Sequence, residues 1–291
     1  VRRRIFQRFF GFPGGIPGPE LVERLKAQVK AHDITIKYER VEGLEFPDIE
    51  KENKFILATG SSSYLADVVV IAGGTEAKKS ELAESLSPSL RENIFYEVHP
   101  LTGEKGKRIV ITGAGDAAFD YALNLSRFNE VIILNRTNRM KALPLLIDRV
   151  KKSEHIRYLD NAQVVKIEKG KEKKLAITYT REKDDKKMEA DYWLCALGRQ
   201  PQLDFLPEEL REIKQELIDQ GRLYFIGDVT NGNFRQAAIA VGNGIEAAMK
   251  IYEERVAPAP HDVTKQYSSQ EKSSQKNKIL AHNNTDNGVE T

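Results

Sequence analysis

Cysteine occurs once in the 291 residues, as Cys195. A single thiol can form no internal disulfide, no CxxC redox pair and no multi-thiolate metal centre, and no metal site is expected. Long apolar runs are also missing. Stretches such as Val68–Ala72 fall far short of the ~20 residues that span a bilayer, and no signal-peptide core follows the basic start. The reading is a soluble, cytoplasmic chain with no membrane partner. Charge of one sign is not in excess either: 45 Lys and Arg face 43 Asp and Glu, a formal charge of +2. Such a balance creates no field that would gather nucleic acid. What remains is ordinary globular material, 40% hydrophobic and 30% charged, in a length that suggests two domains.

Gly11-Phe12-Pro13-Gly14-Gly15-Ile16-Pro17-Gly18-Pro19 can continue neither helix nor strand and reads as a loop of several turns. Leu21, Val22, Leu25 and Val29 follow at helical spacing, predicting an amphipathic helix over Glu20–His32. Strands are expected at Ile34–Tyr38, Lys54–Ala58 and Asp67–Ala72, the last apolar on both faces and so covered on both sides. Gln163–Ile167, Leu175–Thr180 and Asp191–Leu197 read as a three-strand meander with a charged hairpin tip at Glu182–Lys187. A short strand at Leu223–Ile226 and a helix at Gln236–Arg255 close the folded part. From Ala257 the composition turns polar, which predicts a disordered tail over 257–291.

Arg108–Thr112 leads into Gly113-Ala114-Gly115-Asp116-Ala117-Ala118, a GxGxxA turn opening a helix over Ala117–Phe128, with a second strand at Val131–Leu134. Gly113 allows the tight turn, Gly115 lets a pyrophosphate approach the backbone, and Ala118 lets the helix lie against the strand. Strand, turn, helix and strand at this spacing point to a dinucleotide site. Asn135, Arg136, Arg139 and Lys141 follow the second strand. An acid at that strand end would bond a ribose 2′-hydroxyl, whereas cations accommodate a 2′-phosphate, so NADPH is favoured over NADH.

Tyr224-Phe225-Ile226-Gly227-Asp228 places an acid at another strand end, just ahead of a helix start. With Gly11–Gly15, Gly18–Leu21, Asp67–Gly73, Gly113–Ala118, Asn135-Arg136, Ala196–Pro201 and Arg235-Gln236-Ala237, in this order and spacing over Gly11–Glu254, the chain resembles the low-molecular-weight thioredoxin reductases. The resemblance implies an α/β protein of two Rossmann-like, three-layer domains, the NADPH domain inserted into a discontinuous FAD domain. It places the first part of the FAD domain at 1–104, the NADPH domain at 105–206 and the second part at 207–256. It also implies that Gly198 and Arg199 serve cofactor binding, that Asp228 and Arg235–Ala237 meet the flavin, and that the protein is a homodimer.

Two departures shape the expected activity. The family's dithiol would fall near Asn93–His99, where no thiol occurs, so the chain more closely resembles the dithiol-free ferredoxin-NADP reductase branch. No strand with a GxGxxG precedes Gly11, so the FAD domain is read as N-terminally incomplete, the chain being a fragment about one βα unit short. The expected function is hydride transfer from NADPH to FAD, with electrons passed to a carrier such as ferredoxin or flavodoxin, or to a small-molecule acceptor. The alternative is a non-catalytic NADP(H)-binding or sensor protein that has lost the flavin site. No catalytic acid or base is named, and His99 and Cys195 are read as an ordinary loop residue and a core residue.

Overall fold

A computed structural model describes residues 5–6, 11–46 and 54–255; the 257–291 tail lies outside the described residues. The chain divides into two compact units. Among the described residues, one joins those up to 71 with 205–227 and 233–255; the other comprises 72–204 and 228–232.

The second unit is built on a five-stranded parallel sheet. Its order is Ile156–Leu159, Glu130–Leu134, Arg108–Thr112, Tyr192–Cys195 and Ile94–Phe95. The two central segments, RIVIT and EVIIL, are apolar at successive positions, so each strand must be covered on both faces. Alternate residues go to opposite sides. Ile109, Ile111, Val131, Ile133 and Leu194 pack with Ala118, Phe119, Ala122 and Leu125 of the Asp116–Leu125 helix. Val110, Ile132, Leu134, Trp193 and Cys195 pack with Leu175, Ile177 and Tyr179 of an antiparallel sheet. The unit is therefore three layers, antiparallel sheet on parallel sheet on helices, and burial of each large aliphatic side chain stabilises it by about 1.5–3 kcal/mol. Residues 72–104, read from sequence with the first domain, lie here because Ile94–Phe95 is an edge strand of this sheet.

The meander differs from the sequence expectation. Its third strand is Asp184–Ala190, not Asp191–Leu197, and the expected charged tip is mostly that strand. Asp184–Lys187 are exposed, so charge costs the strand nothing. The turn is only Glu182-Lys183, both at positive φ (55° and 72°), the two-residue conformation that fits the twist of a hairpin. Tyr192–Cys195 instead enters the parallel sheet, where its all-apolar pattern belongs.

In the first unit, the Gly18–Ala31 helix buries Leu21 and carries Pro19 in its first turn, which needs no N–H partner. Val41–Glu45, Phe55–Thr59 and Ser63–Ala66 form an antiparallel sheet; the first and third of these strands were not foreseen. Val69–Ile71 pairs in parallel with Leu223–Phe225, but Val70 is 41% exposed, so the expected cover on both faces is not met. The strand expected at Ile34–Tyr38 does not form. Its alternating Ile34, Ile36 and Tyr38 are all exposed, because no neighbouring strand pairs with them among the described residues. Ala237–Arg255 is the longest helix among the described residues, with Ala247 its buried residue.

Candidate dinucleotide site

Gly113 leaves the Arg108–Thr112 strand at φ +141°, and a Cβ there would stand 2.3 Å from the Ala196 carbonyl oxygen. Only glycine fits both the conformation and the space. Gly115 is the N-terminal flanking residue of the Asp116–Leu125 helix at φ −93°. A Cβ on it would meet nothing within 4 Å, so the space over the helix N-terminus is open to a pyrophosphate. Ala118 is fully buried against the sheet, the role its small size predicted. Ala117 lies beside it in the same first turn and is exposed.

Asp116 does something the sequence did not announce. Its carboxylate accepts the Leu143 N–H at 2.7 Å, and Leu143 is the flanking residue of the Pro144–Lys151 helix. The negative group is thus used at a helix start, where it is favourable. The Lys141 N–H also bonds the Ala114 carbonyl at 2.8 Å, so segment 141–143 is tied to the glycine turn.

Arg136, Arg139 and Lys141 are all exposed on the segment between these ties and the strand end. None of the three side chains has an ion-pair or hydrogen-bond partner among the described residues. Asn135 differs from them. It is 5% exposed, and its side-chain amide donates to the Arg139 carbonyl at 3.0 Å and the Tyr158 hydroxyl at 2.8 Å. Its oxygen accepts from the Thr137 N–H at 3.2 Å. Burial pushes the Tyr158 phenol up, the amide N–H donated by Asn135 pulling the other way.

The chain's one tryptophan was not singled out from sequence. Trp193 donates its indole N–H to the Thr112 hydroxyl at 2.7 Å, one residue before the glycine turn. The two partners are 81 residues apart along the chain, too far for the sequence to pair them.

Gly198 sits at φ +104° and is exposed. Arg199 donates from Nε to the Thr75 hydroxyl at 2.8 Å and pairs with Glu97, so its guanidinium braces the strand pair Thr75–Ala77 and Arg199–Pro201. In the first unit, Gly227 is at φ +71° and gives its N–H to the Asn243 side chain at 3.3 Å. Asp228, the first residue of the 228–232 segment that groups with the second unit, is half-buried in the turn Gly227–Val229. Arg235 and Ala237 are half-buried and Gln236 exposed at the start of the Ala237–Arg255 helix.

Cys195 is buried in the parallel sheet, and burial pushes its thiol up to about 12 from an ordinary 9.0. The native protein should therefore be inert to Ellman's reagent at pH 8 and yield one thiol after unfolding. Because the folded value is raised, the stability tied to this group is whole below about pH 9. It is lost as pH rises toward 12, by about 1.4 kcal/mol per unit, since only the unfolded thiol ionises there. Unfolding curves of the native chain and Cys195→Ala across that range check this, and parallel curves would refute it.

The profile of the pyridine nucleotide-disulphide oxidoreductases matches residues 22–244. A thioredoxin reductase of Chlamydia pneumoniae is 26% identical over 258 residues, 84% of this chain and 82% of that protein. A ferredoxin–NADP reductase of Streptococcus pneumoniae is 26% identical over 243 residues, 80% of this chain and 74% of the other. Among solved structures, thioredoxin reductase of T. acidophilum aligns with a TM-score of 0.69 at 26% identity, covering 88% of this chain and 86% of that one. The Lactococcus lactis enzyme aligns at 0.74 and 22% identity, covering 87% and 85%, a likeness of fold. The α/β fold with Rossmann-like domains stands with these structures. With the glycine turn, the open helix start and a profile match over most of its length, the chain belongs to the pyridine nucleotide-disulphide oxidoreductase family.

Proposed function

We propose that the chain takes reducing equivalents from NADPH through FAD to an external electron-carrier protein of the ferredoxin or flavodoxin kind, without a dithiol relay. As a family member it is an NAD(P)H-dependent flavoprotein oxidoreductase with FAD and NADPH as its cofactors. When bound, the two supply the hydride and electron chemistry, and the chain supplies binding and orientation.

The observation that carries the NADPH assignment is the trio Arg136, Arg139 and Lys141, without ion-pair partners among the described residues and following a strand end that bears no acid. Cations so placed meet a ribose 2′-phosphate with charge-assisted hydrogen bonds. Gly115 leaves the backbone bare at the Asp116–Leu125 helix start for the pyrophosphate, and Gly113 makes the tight turn that leads to it. Asp228, in the turn that follows the Leu223–Phe225 strand, has no side-chain hydrogen-bond partner among the described residues and can accept a hydroxyl of the flavin's ribityl chain. The reading without a dithiol follows from one cysteine in the 291 residues, and that one buried.

The test is anaerobic reduction. The chain, saturated with added FAD, should lose the flavin's visible absorbance on addition of NADPH, far faster than with NADH, and then reduce ferredoxin or flavodoxin. Flavin absorbance that stays constant while NADP+ binds would replace this reading with the non-catalytic NADP(H)-binding one.

A further inference from the structure

Asn135 has no bonding capacity left for a nucleotide. Its two amide hydrogens go to the Tyr158 hydroxyl and the Arg139 carbonyl. Its oxygen takes the Thr137 N–H and, at 3.4 Å, the Thr137 hydroxyl. Its backbone N–H bonds Leu159 at 2.9 Å and its carbonyl takes the Ala162 N–H at 2.8 Å. A carboxamide offers two donors and one oxygen, and all of them are committed.

These bonds lead in two directions. On one side they shape the turn that follows: the Thr137 hydroxyl also accepts the Arg139 N–H at 3.3 Å, so 135, 137 and 139 are laced into one conformation from which Arg136 and Arg139 project. On the other side, Tyr158 lies on the neighbouring strand with its ring 5.9 Å from that of Phe119. Phe119 is fully buried in the Asp116–Leu125 helix, the helix whose start faces the open space over Gly115.

We infer that Asn135 and Tyr158 are positioning residues that set the register between two phosphate subsites. They hold the Arg136–Lys141 turn at a fixed place relative to the helix start, and so determine how strongly the protein prefers a dinucleotide bearing a 2′-phosphate. The inference rests on the NADPH reading above and deepens it. The physical reason is preorganisation. A turn held in one conformation gives its cations to the phosphate without an ordering cost, and a loosened turn must be ordered by each ligand that uses it. A nucleotide without the 2′-phosphate does not use it.

The experiment compares Tyr158→Phe, Asn135→Ala and the double variant with the unmodified chain. NADP+, NAD+, 2′,5′-ADP and 5′-AMP are titrated by calorimetry and by the fluorescence of Trp193, which sits beside the glycine turn. Tyr158→Phe keeps the ring on Phe119 and removes only the hydroxyl. It should weaken NADP+ and 2′,5′-ADP about five- to tenfold, leave NAD+ and 5′-AMP within about twofold, and shift the melting temperature little. Asn135→Ala should act in the same direction, and the double variant should be no worse than the worse single, because the two residues act through one bond. Equal weakening of all four ligands, or of none, by Tyr158→Phe overturns the inference, and that variant decides if Asn135→Ala does not fold. An unmodified chain that binds NADP+ no better than NAD+ overturns the NADPH reading itself, and the inference with it.

Discussion

Gly113→Ala is expected to destabilise the second unit by roughly 3 kcal/mol or more and to abolish NADP+ binding. Two terms add. An L-residue held at φ +141° is strained by about 1–3 kcal/mol. The new methyl would also sit 2.3 Å from the Ala196 carbonyl oxygen and 3.1 Å from its carbon. That backbone cannot easily retreat, because the Ala196 N–H is bonded to the Thr112 carbonyl at 2.8 Å, extending the pairing of two central strands. Gly115→Ala is the informative contrast. With an ordinary φ and nothing within 4 Å of the added Cβ, it should leave the unfolding midpoint nearly unchanged yet weaken NADP+, because the methyl occupies the space read as the pyrophosphate's. Urea unfolding and NADP+ titration of both variants separate the two roles. A stable Gly113→Ala would show that the strand ends can part, and tight binding by Gly115→Ala would move the pyrophosphate elsewhere.

Arg136→Ala should weaken NADPH by about 1.5–3 kcal/mol, roughly ten- to a hundredfold, and leave NADH almost untouched. Arg136 is exposed and has no side-chain partner among the described residues, so its removal takes little from the fold. A loss confined to the phosphate-bearing nucleotide is therefore a loss of ligand contact. The difference should shrink as salt is raised, since an exposed charge is screened. Equal weakening of NADPH and NADH would refute the 2′-phosphate role, and an unchanged melting curve is required for either result to count.

Much of this site could be read from the chain alone, and the reason is local. Gly113, Gly115 and Ala118 sit within six residues, and the constraints on them belong to one turn and one helix start. The absence of an acid after Leu134 is likewise a statement about neighbouring positions. Asn135 was read as a cofactor ligand because its place beside Arg136 is visible and its bonds to Tyr158 are not. Arg199 belonged to a recognisable motif, but Thr75 and Glu97, which engage its guanidinium, are more than a hundred residues away. Asp184–Ala190 is not legible in the sequence because a strand exposed along most of its length carries no apolar alternation, and Ile34–Tyr38 has the alternation of a strand but no partner strand among the described residues.

The sequence by itself determined the glycine turn, the cations after a strand end without an acid, the lack of a dithiol within these residues and the apolar pattern of the central strands, all of them properties that neighbours along the chain impose on one another. Tertiary structure alone decided which of those residues are free to meet a ligand and which are already spent on one another. A hydrogen-bonding group has few bonds to give, and whether they remain to be given depends on partners the fold brings from elsewhere.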